Sequence, residues 1–164
     1  MQYQLPLFEN IKRTATFSDC GQYRYSLQRN WAPNQRNVVF IGLNPSTADS
    51  EVDDPTIRRC IRFAHSWGFG GMSMANLFAY RSTDPKMLLN VSDPVGPEND
   101  EWLVQLSQSA SLVIAAWGNH GCYLNRSESV KRLCGNLHVI KLNGSGEPAH
   151  PLYLPAYLTP QRWL

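Results

Sequence analysis

The chain has 164 residues, 43% of them hydrophobic and 17% charged, with 11 Gly, 11 Pro and a formal net charge of +2. That length fits one domain with a core of its own, and a low charged fraction beside a near-normal apolar one excludes a disordered chain. The +2 balance excludes a strongly basic coat for nucleic acid and leaves room for a local basic groove.

A single domain over 1–164 is predicted, with residues 1–12 as a loosely held arm. Thr14–Phe17 and Tyr23–Leu27 alternate apolar and polar residues about Ser18–Gly21, which predicts a β-hairpin with Gly21 supplying the positive φ of the turn. Asn30–Asn37 is a loop carrying Pro33, and Val38–Leu43 is a continuous apolar run, the mark of a strand buried on both faces. Asp54 as cap, Pro55 at the first helical position and Gly68 beyond the last turn bound the clearest helix. Ile57, Cys60, Ile61, Ala64 and Trp67 fall on one side of it; Arg58, Arg62 and His65 form a basic stripe on another. That stripe reads first as a solvated face neutralising Asp53 and Asp54, and second as a phosphate-binding surface. Met72–Tyr80 is a second buried strand. Ser82–Pro97 is a loop with a short helical turn at Lys86–Asn90. Glu98–Ser109 suits a helix whose acids sit at the favourable N-terminal end of the dipole. Leu112–Trp117 is a third buried strand cut off by Gly118, Arg126–Leu133 a helix closed by Gly135, and Leu137–Leu142 a fourth strand. This alternation predicts an α/β fold: a three-layer α/β/α sandwich on a mainly parallel sheet of about four strands, plus the N-terminal hairpin.

Of the 15 basic residues, 11 are Arg and 4 are Lys (Lys12, Lys86, Lys131, Lys141). Arg offers a planar fork for phosphates and flat rings; codon bias is the plainer account unless a site asks for Arg. Cys20, Cys60, Cys122 and Cys134 fit no zinc spacing, and no signal peptide pattern precedes them, so four reduced thiols in a cytoplasmic protein are expected. The longest apolar runs are too short to span a bilayer. His65, His120, His138 and His150 are scattered, so no metal or cofactor is expected; His65 and His138 read as structural.

In a parallel sheet, ligands bind outside the carboxyl ends of the strands. Four such ends are predicted here: Gly42-Leu-Asn44-Pro45-Ser46-Thr47-Ala48-Asp49, then Asn76, then Trp117-Gly118-Asn119-His120, then His150-Pro151. Each alone is an ordinary turn, but four converging ends describe a pocket. No Walker loop, G-x-G-x-x-G or G-x-S-x-G is present, which removes the sequence basis for phosphate-loop, dinucleotide and acyl-hydrolase chemistry. Amides at Asn44, Asn76 and Asn119, one turn His and the carboxylate of Asp49 suit reading and releasing a heterocycle.

The order Gly42-Leu-Asn-Pro45, Asn76 after an apolar run, Ala116-Trp-Gly118 and His150-Pro151 resembles the uracil-DNA glycosylase superfamily over about residues 38–155. The resemblance implies that Asn44 holds the attacking water, with Asp49 behind it. It implies that Asn76 reads the flipped pyrimidine and that His150 stabilises the departing base as an anion. Gly42, Pro45, Ser46, Gly118 and Pro151 would then shape the base pocket. Ser46 stands where the uracil enzymes carry a Tyr that crowds out a 5-substituent, which leaves room for a modified base. Leu152 replaces the Ser of H-P-S and becomes, with Tyr153, a candidate wedge into the base stack. No base-stacking aromatic can be assigned. Arg36, Arg58, Arg62 and Arg81 are candidate DNA contacts. The segments Gly-Leu-Asn-Pro-Ser-Thr-Ala-Asp and Asp-Asp-Pro-Thr-Ile-Arg-Arg-Cys also resemble a bacterial and phage family of unknown function.

The resulting expectation is a monomeric DNA glycosylase without cofactor, acting on single-stranded DNA or on a base flipped from a duplex. Two alternatives stay open: a non-catalytic module binding a base, nucleotide or DNA in the same pocket, and a hydrolase of free nucleosides or nucleotides.

Overall fold

A computed structural model of the protein describes residues 10–164. Most of the predicted arm therefore lies outside the described residues, and Lys12 already belongs to the first strand. The strands are β1 (Lys12–Phe17), β2 (Arg24–Asn30), β3 (Asn37–Gly42), β4 (Gly71–Asn76), β5 (Leu112–Ala115), β6 (His138–Val139) and β7 (Gln161–Arg162). The α-helices are α1 (Pro55–Ser66), α2 (Asn99–Ser109) and α3 (Arg126–Cys134). Together they make a mixed α/β fold on one seven-stranded sheet, in the order β1-β2-β4-β3-β5-β6-β7.

Successive side chains of a strand point to opposite faces, and β3 shows why its sequence is apolar throughout. Val38 and Phe40 belong to a cluster with Ile57, Cys60, Ile61 and Ala64 of α1. Val39 and Ile41 belong to a second cluster with Leu103 and Leu106 of α2 and Val130 of α3. Strand β3 runs parallel to both β4 and β5, and β5 runs parallel to β6. The chain thus leaves β3 through α1 to one neighbour and reaches the other through α2. That reversal makes the carboxyl ends of β3 and β5 the topological switch point where such sheets bind ligands.

Several expectations are corrected. The sheet is mixed and seven-stranded rather than a mainly parallel one of about four strands with a separate hairpin, because the hairpin joins it: β2 pairs antiparallel with β4, Leu27 opposite Met74. The second parallel strand ends at Asn76 rather than Tyr80, since Ala79 and Tyr80 donate instead to the carbonyls of Val95 and Pro94. The last parallel strand shrinks to two residues, because beyond Ile140 the chain folds on itself, with Ala149 N–H donating to Lys141 and Leu142 bridging Pro148. Strand β7 was not predicted; it pairs antiparallel with β6.

Helix α1 begins as its sequence dictates. The Asp54 carboxylate accepts from the Ile57 N–H at 2.9 Å, and Gly68 takes φ +86° after the last turn. All four cysteines are free. Among the described residues, no helix is long and apolar enough to cross a membrane.

Candidate functional site

The carboxyl ends of β3 and β4 and the segments after β5 and β6 enclose a cleft of about 660 Å³. Gly42 and Asn76 are register partners on adjacent parallel strands. A Cβ on Gly42 would stand 2.9 Å from Asn76 Nδ2 and 3.5 Å from Met74 Sδ, so the glycine leaves the space that the Asn76 amide occupies. Gly118 takes φ +76°, a conformation that favours glycine, and its N–H donates to Pro148 O at 2.8 Å. That bond ties the turn after β5 to the segment entering His150.

Three side chains define the polarity of the cleft. Asn44 Nδ2 donates to Pro45 O at 3.1 Å and Ser82 O at 2.9 Å. Both partners are carbonyls, which fixes the amide orientation and leaves Oδ1 as an acceptor. Asn76 is 3% exposed, and its Oδ1 accepts from Arg24 Nη2 at 3.4 Å; its backbone carbonyl accepts from Asn99 Nδ2 at 3.0 Å. His150 Nδ1 accepts from the Leu152 N–H at 3.2 Å, so the neutral ring carries its proton on Nε2. Burial pushes the His150 imidazole below its ordinary value, an effect opposed by the negative charge of Asp54. The result is a neutral imidazole with one N–H donor.

Of the sequence-predicted residues, Gly42, Asn44, Ser46, Asn76, Gly118, Asn119, His120, His150, Pro151 and the candidate wedge Tyr153 line this cleft. Asp49, Pro45, Leu152 and the four candidate DNA arginines do not. Asp49 accepts from the N–H groups of Glu51 and Val52 at 2.8 and 2.7 Å, which holds its carboxylate below the usual range and commits it to its own turn. Pro45 is buried behind the loop, its carbonyl taken by Ser82 N–H and Asn44. Arg36 lies over the Phe69 ring, and Arg81 lies over Phe17 while donating to Gly21 O. Arg58 and Arg62 are exposed on α1, and Leu152 is exposed beside the cleft without lining it.

Sequence reasoning missed three charged residues that do line the cleft, Arg24, Asp54 and Lys141. Arg24 comes from β2, and nothing in an alternating hairpin shows that this strand crosses behind the pocket. Its guanidinium is buried, which lowers its pKa to about 10, with Asp54 opposing that fall. Asp54 has a helix-cap signature that hides any second role. Arg59, also unpredicted, sits over the Phe63 ring and donates to the Leu154 carbonyl, anchoring the segment after His150 to α1.

An α/β protein with a polar cleft at its switch point is the class these features define. Residues 24–152 match the family profile described as "Protein of unknown function (DUF1643)", and the chain belongs to that family. The matched span contains every lining residue of the cleft except Tyr153 and Leu154. No curated protein and no solved structure matches the chain.

Proposed function

We propose that the protein is a DNA glycosylase-like hydrolase that cleaves the N-glycosidic bond of a flipped, modified base, on a three-layer α/β/α sandwich. One observation carries this reading: the acceptor Oδ1 of Asn44, the Asn76 amide and the Nε2–H of neutral His150 belong to residues lining one cleft at the switch point. Extruding the base costs a few kcal/mol and is least costly for a damaged, mismatched or single-stranded base. Asn76 reads the base edge. As the bond to C1′ breaks, its electron pair goes to the base, and His150 donates a hydrogen bond to the oxygen where charge gathers. A preorganised donor of this kind supplies about 3–4 kcal/mol. Asn44 orients the water whose oxygen bonds to C1′. Asp54, rather than Asp49, is the carboxylate that lines the cleft, and it takes the water's proton. Ser46 leaves space beside the base. Leu152, 38% exposed, and Tyr153, 82% exposed, stand ready to fill the gap in the stack.

The test is a panel of single- and double-stranded oligonucleotides carrying modified bases, incubated with the protein and then treated with alkali. Strand scission on at least one substrate is expected, reduced about a hundredfold or more by His150→Ala, the scale for losing one transition-state donor, and strongly reduced by Asn44→Ala, which loses the acceptor that orients the water. No scission on any substrate overturns the reading; affinity without base release assigns a binding module instead.

A further inference from the structure

Arg24 is the most unusual residue of the cleft. A guanidinium carries five N–H donors, and among the described residues two contacts use them: Nη1 to Ala48 O at 3.0 Å and Nη2 to Asn76 Oδ1 at 3.4 Å. Its Nε is buried without a partner, and the residue is 2% exposed. Among the described residues, no carboxylate comes within ion-pair distance of it. Buried cations are ordinarily paired, because removing an ion from water is repaid only by an opposite charge and satisfied donors. The nearby Arg29 shows the ordinary solution, with its Nε 2.8 Å from Asp53 Oδ1. Asp54 shares the cleft with Arg24 but spends one oxygen on the Ile57 N–H and forms no ion pair with it.

We propose that Arg24 makes the inner wall of the cleft an oxyanion site, so that the ligand brings a carboxylate or phosphate group to this guanidinium. Asn76 supports it geometrically. With Oδ1 turned to Arg24, its Nδ2 is the atom left to face the ligand, so the two residues together present donors and select acceptor oxygens. Ser46, Arg24 and Asn76 line the same pocket, which suits a base whose extra substituent is negatively charged. The free 5′-phosphate of a nucleotide offers the same chemistry. This inference deepens the proposed glycosidic reading by naming its substrate class, and it uses only the cleft, not the cleavage step.

Calorimetric titration with three probes decides it: 5-carboxy-2′-deoxyuridine, thymidine 5′-monophosphate and thymidine. At least one charged probe is expected to bind about tenfold or more tighter than thymidine, the worth of one charge-assisted hydrogen bond. The carboxylated nucleoside winning assigns the charge to the base; the monophosphate winning assigns it to the sugar. The preference should disappear in Arg24→Gln, survive in part in Arg24→Lys, and stay intact in Lys141→Gln, which removes the other cation lining the cleft. Should Arg24→Gln fail to fold, the wild-type comparison and Arg24→Lys still decide. Equal affinities, no binding of either charged probe, or a preference untouched by a folded Arg24→Gln overturns the site. Charge-selective binding without base release sustains this inference while removing the glycosidic reading; base release with no charge preference does the reverse.

Discussion

His150 owes its chemistry to two neighbours, one a hydrogen bond and one a charge. The Leu152 N–H holds Nδ1 unprotonated, and burial disfavours the imidazolium. The folded ring therefore loses its proton at a lower pH than the unfolded chain's. Below about pH 6.5 the unfolded chain binds more protons, so this residue's share of stability is present above that value and is lost as pH falls through the lower folded one. A two-dimensional NMR titration should place the His150 midpoint below 6.5. Because the Asp54 charge favours the imidazolium, Asp54→Asn should move that midpoint lower still. An unchanged or higher midpoint in that variant would remove Asp54 from the electrostatics of the cleft. At this scale the sequence was partly legible. Asn44, Asn76 and His150 stand where apolar runs stop, and a parallel sheet gathers such stops. Arg24 stands inside a run, where a side chain's surroundings depend on which strand lies beside it. That information is not local.

Helix α1 couples the cleft to the fold. Its cap Asp54 and its first-turn residues Thr56 and Ile57 form part of the pocket wall, while Cys60, Ile61, Phe63 and Ala64 are buried in the core. Replacing Asp54 by Ala removes the bond to the Ile57 N–H and should cost about 1 kcal/mol, lowering the melting temperature by roughly 2–4 °C for a chain of this size. Asp54→Asn keeps a capping oxygen and should melt close to the wild type. A calorimetric scan of both variants separates the cap from the charge, and equal losses in the two would show that the charge, not the cap, stabilises the helix. Elements with strong local signals, such as α1 with its cap, proline and closing glycine, were read from the chain with bounds near those observed. The ends of β4 and β6 were not, because each strand stops when its backbone groups find partners in a distant loop or in a turn of their own. Strand β7, a Gln-Arg pair, has no apolar pattern to betray it; it exists because β6 offers an edge.

For the whole molecule, the net charge of +2 makes the distribution of arginines more informative than their sum. Of the four arginines first proposed to meet DNA, Arg36 and Arg81 lie over aromatic rings, while Arg58 and Arg62 are exposed on α1, the helix that opens the cleft. On the proposed glycosylase reading, replacing both by Gln should weaken DNA binding uniformly across sequences and flatten the plot of log K against log salt by about 0.7–0.9 per lost phosphate contact. Fluorescence anisotropy over a salt series measures this, and an unchanged slope would remove these two arginines from the proposed DNA contact. The general architecture was open to sequence reasoning, since alternating strand and helix patterns dictate an α/β fold. How far the sheet extends was not, because the hairpin's register with β4 is a long-range pairing.

That extended sheet also has consequences at its rims. A sheet normally ends in rows of unpaired N–H and C=O groups that invite a second molecule to add a strand. Among the described residues one rim is β1, which opens with the adjacent cations Lys12 and Arg13, and the other is β7, only two exposed residues long and ending in Arg162. Like charge guards the first rim and brevity the second, so fibre-like stacking through either edge is disfavoured by the same two elements that the hairpin and the C-terminal segment add to the parallel core.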